Sequence, residues 1–548
     1  MCSCGSGFGL SHRGSGDIKD IKDIKDIKAV YIVKHFQVGV GVVRMESAAL
    51  PHWEMLLYWF LSFISHLYSF YQLHLFSKEH EESLDRDVQL EKGFLIRGSK
   101  KDATDFEWSF WNEWAWRSLL WSLIGHAVMS QLTSVCMPQL RKAVLTVYGV
   151  LCAWWLLGWR GVAVLMLHLS VSLAVAQLQN PALSWGCTLL LLSTLHISSV
   201  QDIQRGWYDS DEHYYLLMFS IAMCVLRCVS FSLELCWSPL QDGGTNRCFS
   251  FLNFRKFLTQ LYNLVSYCFY HPLFYNGPVI NYNHFSQQMD SAVCTASPAL
   301  LLVQTLRVCV WWCLAELMIH VMYMHSIQNN ETYLTMLPSW ALGGLALALV
   351  QFFYVKYLVL FGVASLLMKL DGIEPPPLPR CVSTMYSFRG MWRHFDVGLY
   401  RWLIRYVYVP LGGSQHGLFQ KLISMAMTFS FVCLWHGCHD YLQCWALLNW
   451  VCVLTENSIT LFLCWPPLHH TIACYLSPPM RRRGLALISA FSTAMLILSN
   501  LVFLGGIHIG RVYWERVFMQ GWSSMAVPVL GCLYCFAQVG LEMDSKKT

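Results

Sequence analysis

Residues 418–464 read LFQKLISMAMTFSFVCLWHGCHDYLQCWALLNWVCVLTENSITLFLC. Two apolar runs, 418–435 and 441–464, flank the polar interruption Trp435-His436-Gly437-Cys438-His439-Asp440. Each run approaches the roughly 20 apolar residues that a helix needs to cross a bilayer. The pair therefore predicts two membrane spans joined by a short connection with a histidine at its start. An ionisable residue placed there is costly and is usually functional. His436 follows MAMTFSFVCLW and precedes a glycine, with Trp435 and Gly437 setting a packed, close-approach environment. A histidine so placed can act as a general base near neutral pH. The bland alternative is a core histidine bonded to a backbone carbonyl, the reading given to His126, His168, His320 and His325 in similar runs. A metal site from Cys433, His436, Cys438 and His439 is a further alternative, but structural zinc favours two pairs set apart by a longer loop.

The same pattern extends outward. Apolar segments follow one another from near 53–76 to near 522–541, among them runs at 143–158, 161–178, 260–280 and 485–505, and several are short or interrupted. This predicts an all-α integral membrane protein, a multi-pass bundle of about ten spans plus one or two re-entrant segments. Of the 548 residues 55% are apolar and only 13% charged, against roughly 25% charged in soluble domains, so lipid is the natural solvent. The net charge of +5 is spread along the chain, which excludes a nucleic-acid partner and leaves the bilayer. Many of the 22 cysteines lie inside apolar runs and read as small hydrophobes, with neither a disulfide scaffold nor a zinc-finger framework. Residues 1–45 form a low-complexity tail with four Asp-Ile-Lys copies at 17–28, expected to be disordered. Residues 46–548 form the membrane domain. Arg481, Arg482 and Arg483 and the terminal Lys546 and Lys547 are expected on one side of the membrane, the cytosolic side by the positive-inside rule.

Other polar clusters interrupt the apolar pattern. Asp105–Trp121, DFEWSFWNEWAWRSLLW, alternates aromatics with charges and predicts an interfacial helix leading into a span. Region 369–417 is too polar for a lipid-facing helix and too aromatic for a solvent loop. Irregular backbone at membrane depth survives only when it is buried in protein or lines a cavity, so this region is placed at a site. Its Asp396 needs a partner, and Arg393 or Arg389 would give a structural ion pair. Arg227 with Glu234, and Glu316 with His320, read as buried pairs that hold helices together.

Taken in order, RCVSFSLE, then YCFYHPLFYNGP, then the Asp396 segment, then the Trp-His-Gly at 435–437, resemble the membrane-bound O-acyltransferase superfamily. The strings KDATDFEWSFW, LPRCVSTM, RYVYVPLGGSQHG and AMTFSFVCLWHG resemble its Hedgehog acyltransferase branch, from about Trp53 to the end of the chain. The resemblance implies a fold with a central tunnel in the endoplasmic-reticulum membrane. It also implies transfer of palmitoyl from palmitoyl-CoA to the N-terminal cysteine amine of Hedgehog signalling proteins, giving an amide. By resemblance His436 and Asp396 are catalytic, while Trp392, Arg393 and Trp435 bind substrate, with Trp392 at the acyl-CoA entry. By resemblance too, Cys381 ligates the iron of a structural haem. An inactive relative lacks the histidine, whereas this chain keeps both His436 and Asp396, so an active enzyme is expected. The alternatives are a sister acyltransferase with a hydroxyl acceptor and a non-catalytic membrane scaffold.

Overall fold

The computed structural model describes residues 49–96, 98–238, 251–291, 297–413 and 417–546. The expected tail, residues 1–45, lies outside the described residues, as does Lys547. Among the described residues regular structure is helical apart from one antiparallel hairpin, Glu91–Lys92 with Lys100–Lys101.

The principal helices are α1 (His52–Glu79), α2 (Phe106–Cys136), α3 (Arg141–Ala176), α4 (Pro181–Ser193), α5 (Ser198–Arg205) and α6 (Asp211–Trp237). They continue with α7 (Phe251–Cys268), α8 (Tyr282–Ser291), α9 (Pro298–Val321) and α10 (Ser339–Leu370). After two short helices, α11 (Phe388–His394) and α12 (Val397–Leu403), come α13 (Leu418–Trp435), α14 (Asp440–Leu463), α15 (Pro478–Trp514) and α16 (Val527–Ser545). Among the described residues nine helices are long and apolar enough to cross a membrane. A tenth span arises if the segment Pro181–His196 and α5, bent by 65°, count as one. The expected all-α multi-pass bundle is thus what the chain forms. Its outward faces carry exposed Trp121, Val135, Leu190 and Phe419, the reverse of a soluble surface.

Helix boundaries differ from the apolar runs in three places. The runs at 143–158 and 161–178 belong to one helix, α3, interrupted at Gly158. The run at 485–505 lies within α15, which breaks at Gly506 and brings Gly510 back against Val502. The run at 260–280 stops being α7 at Cys268, and the chain continues through the short turn His271–Phe274.

Two hydrophobic cores fill the bundle. One is built around α3, α6, α13 and α14, with Leu165, Leu217, Trp402, Tyr406 and Val432 among its buried members. The other joins α1, α9 and α10, with Leu73, Ile319, Leu345 and Phe352. Met391 and Met495 pack against both, so α11 and α15 run along the seam between them.

Buried polar pairs fasten this arrangement. Asp105 and Glu107 at the start of α2 hold Lys356 of α10 at 3.0 and 2.8 Å. The DFEWSFW segment leads into a span, Phe106–Cys136, as expected, but it is packed inside the bundle rather than lying at an interface. Trp108 and Trp111 are only 2% and 4% exposed, because the carboxylates that looked like interfacial charges satisfy a buried lysine. Glu316 lies 3.8 Å from His320, the expected pair, and also accepts from Trp108 Nε1 and Asn112 at 2.9 Å. Arg227 and Glu234 do not pair. Glu234 accepts from Arg405 at 2.5 Å and from the Tyr406 hydroxyl at 2.8 Å, whereas Arg227 donates to the carbonyls of Cys268 and Leu273. His168 and His320 each contact a carbonyl one turn back, as the bland reading expected, but His126 faces Asp371 at 2.9 Å.

At one end of the bundle Arg482 reaches Glu542 at 3.0 Å and Arg483 reaches Glu54 at 2.6 Å. The start of α15, the end of α16 and the start of α1 therefore share that end, which puts the arginine cluster and Lys546 on one side as expected.

Candidate active site

His436 closes the last turn of α13, its N–H bonding the Val432 carbonyl at 3.0 Å. Gly437 follows at φ +118°, a conformation that any side chain would strain, so the helix ends there and α14 can begin three residues later. The Trp-His-Gly triplet is thus the corner between two spans, as residues 418–464 predicted. Three rings stand edge-on to the imidazole: Trp435 at 4.7 Å, Phe503 of α15 at 5.5 Å and Trp445 of α14 at 6.3 Å. No hydrogen bond to its ring nitrogens occurs among the described residues. The imidazole keeps exposed surface although aromatic rings pack around it. The bland reading, a core histidine tied to a carbonyl, does not describe it.

Trp435 is anchored to α6 through its indole N–H, which donates to the Ala222 carbonyl at 3.1 Å. Trp392 of α11 donates to Asn449 Oδ1 at 2.8 Å, and Asn449 Nδ2 donates to Ser499 of α15 at 2.8 Å. The Trp392 ring meets Phe429 at 5.1 Å and Trp445 at 5.8 Å, so a single ring separates it from His436. Asn449→Leu is expected to strand the Trp392 indole N–H and the Ser499 hydroxyl at a cost of about 1–3 kcal/mol. A lowered thermal midpoint in detergent checks this, and an unchanged midpoint overturns it.

Asp396 caps α12, accepting from the Leu399 N–H at 2.9 Å. That turn is pressed onto the chain at Val279, where a β-carbon on Gly398 would collide with the Val279 carbonyl oxygen. The ion pair expected with Arg393 or Arg389 is absent among the described residues. Arg389 instead pairs with Glu456 at 3.4 Å, and Arg393 is exposed. Asp396 and His436 do not touch. Between them lies an aromatic cluster: Phe395 stacks on Phe353 at 5.4 Å, and Phe353 meets Phe503 at 5.9 Å. Asp396 opens α12 and His436 ends α13, and the two groups stand on either side of that aromatic cluster. The expected Cys433, His436, Cys438, His439 metal cluster does not assemble among the described residues.

Cys381 is half-buried at the start of the turn Val382–Thr384, and its carbonyl accepts from Thr384 Oγ1 at 2.8 Å. The adjoining apolar cavity, lined by Val382, Ser383 and Met385, holds about 150 Å³. Ligand pockets usually span about 300–1,000 Å³. The packing around Cys381 therefore gives the expected haem no support.

A larger cavity went unread in the sequence. It holds about 620 Å³ between α8, α9, α10 and α12, beside the Asp396 cap. Arg307, Lys369, Arg401 and His284 line it, with Glu374 and Pro375–Pro377 at its wall. None of the three cations has an acidic partner within salt-bridge reach among the described residues. They are spread over 95 positions of sequence, so no local run announced them.

The structure thus brings a crowded histidine at a helix corner, an acid across an aromatic cluster and a cationic cavity beside that acid into one helical membrane bundle. The chain belongs to the membrane-bound O-acyltransferase (MBOAT) family, whose model matches residues 174–497. It is 48% identical over 495 residues to protein-cysteine N-palmitoyltransferase HHAT of Mus musculus, covering 90% of this chain and 98% of that protein. It is 30% identical over 469 residues to a mouse HHAT-like protein, covering 82% and 87%. It is 27% identical over 391 residues to protein-cysteine N-palmitoyltransferase Rasp of Drosophila melanogaster, covering 70% and 73%.

Proposed function

We propose that this chain transfers palmitoyl from palmitoyl-CoA to the N-terminal cysteine amine of Hedgehog signalling proteins, in the endoplasmic-reticulum membrane. The observation that carries the reading is the setting of His436, an accessible imidazole ringed by aromatics at the corner between two spans. The substrates come from the 48% identity to a protein-cysteine N-palmitoyltransferase along nearly its whole length.

The chemistry follows from the groups at hand. A peptide α-amine ordinarily titrates at about 7.7–8.0 and must lose its proton to attack a thioester. The amine nitrogen forms a bond to the acyl carbon, the carbon–sulfur bond breaks, and coenzyme A leaves as its thiol. His436 accepts the amine proton, and the leaving sulfur gains one. Because no hydrogen bond joins Asp396 to His436, the geometry supports a carboxyl acting from the far wall on the leaving thiol rather than one orienting the imidazole. Trp392 and Trp435 wall the passage, and the seam between the two cores serves as the acyl tunnel.

The cationic cavity suits the anionic end of the donor. Phosphate oxygens would complete the hydrogen bonding of Arg307, Lys369 and Arg401. The double variant Arg307→Gln, Arg401→Gln is expected to raise the KM for palmitoyl-CoA about tenfold or more, since each charged hydrogen bond contributes about 1.5–3 kcal/mol. The KM for acceptor peptide is expected to stay within twofold. Steady-state kinetics with each substrate varied check this, and an equal rise in both KM values sinks the assignment.

The test of the function itself uses the full chain in detergent with radiolabelled palmitoyl-CoA and a Hedgehog-like peptide. Label is expected on the peptide with a free N-terminal cysteine and not on its N-acetylated form. Equal labelling of the two, or labelling that hydroxylamine removes, would overturn amide formation.

A further inference from the structure

Cys224 and Cys228 stand one turn apart on α6, and Cys268 ends α7. Read along the sequence they are isolated thiols in apolar runs. In the fold their three sulfurs lie within 4.8 Å of one another, all fully enclosed in the first core. Among the described residues this is the one group of three or more side chains poised to share an ion. The Cys224 and Cys228 sulfurs are 3.9 Å apart. Tetrahedral zinc with Zn–S bonds of about 2.3 Å sets its sulfurs about 3.8 Å apart.

One further observation points at the same place. Arg227, between the two cysteines of α6, is 5% exposed and donates to the carbonyls of Cys268 and Leu273. No acid pairs with it among the described residues, and an uncompensated buried cation is costly. Three neutral thiols would leave the Arg227 charge uncompensated.

We propose that Cys224, Cys228 and Cys268 hold a zinc ion that ties α6 and α7 together inside the membrane domain. As the ion binds, the three thiols release their protons and three Zn–S bonds form. Three thiolates and Zn²⁺ leave a net charge of −1, which Arg227 balances. Soft thiolate ligands favour zinc or copper(I) over magnesium or calcium.

Metal analysis of the full chain, purified in detergent without chelator, tests this. About one zinc per chain is expected, falling below a tenth in Cys228→Ser and in the triple variant Cys224→Ser, Cys228→Ser, Cys268→Ser. Protein produced in cobalt-supplemented medium is expected to show the intense visible bands of tetrahedral cobalt and the near-ultraviolet thiolate bands. The cobalt spectrum and zinc content of the wild type decide the matter even if the variants do not fold. Wild type without bound metal, zinc retained by the triple variant, or a disulfide between any two of the three cysteines would overturn the proposal.

Discussion

Replacing His436 with alanine is expected to lower acyl transfer by about 10²–10⁴-fold, the usual contribution of a positioned general base. The protein is expected to stay folded. The reason lies in what the imidazole touches. Its neighbours are the edges of Trp435, Trp445 and Phe503, and no hydrogen bond to its nitrogens is lost on truncation. The α13 corner is held by backbone bonds, His436 N–H to Val432 and Gly437 N–H to Leu434, which alanine retains. Transfer to a free-N-terminal-cysteine peptide, measured beside the detergent thermal midpoint, separates chemistry from stability. A loss of activity with an intact midpoint supports His436 as the base. Activity within tenfold of wild type would return His436 to an ordinary wall residue and leave the proton with another group.

The corner at His436 was legible because everything that makes it is local: two apolar runs of spanning length, a breaker glycine and an ionisable residue between them. Region 369–417 was legible for a related reason. Its composition suits neither lipid nor water, and the fold lays it inside the protein, with Phe388, Trp402 and Tyr406 fully buried. What the sequence hid depends on which distant helix arrives opposite. Asp105 and Glu107 looked interfacial because Lys356, 251 residues beyond Asp105, is invisible from their own segment. Glu234 appeared to belong to Arg227, on its own helix, yet Arg405 takes it. The three cysteines carry no spacing signature because two ligands come from one helical turn and the third from the next helix. The cationic cavity is assembled from four separate segments. Periodicity reports the face of a helix and is silent about its partner.

The Lys356 clamp gives the largest stability effect expected in the molecule. Lys356 is 4% exposed in the middle of α10, and its ammonium lies 3.0 Å from Asp105 and 2.8 Å from Glu107. Lys356→Met keeps the length and apolar stem of the side chain but strands two largely buried carboxylates at the start of α2. Breaking a buried pair from one side costs about 3–5 kcal/mol, because the remaining charge keeps its desolvation penalty. A large fall in the detergent thermal midpoint is therefore expected for Lys356→Met. The triple change Lys356→Met, Asp105→Asn, Glu107→Gln is expected to recover most of that fall, since neutral amides bury more cheaply than bare carboxylates. Packing loss alone predicts no such recovery, so a triple variant as unstable as the single one would show that the lysine acts through shape and not through charge. The clamp also bears on the reaction. The Tyr357 hydroxyl donates to Glu107 at 3.3 Å, and the Tyr357 ring lies 6.1 Å from Phe395, next to Asp396. Loosening α2 from α10 should therefore shift the wall of the seam that carries Asp396. Lys356→Met protein assayed below its lowered midpoint is expected to lose kcat as well as stability, whereas the triple variant is expected to regain both together.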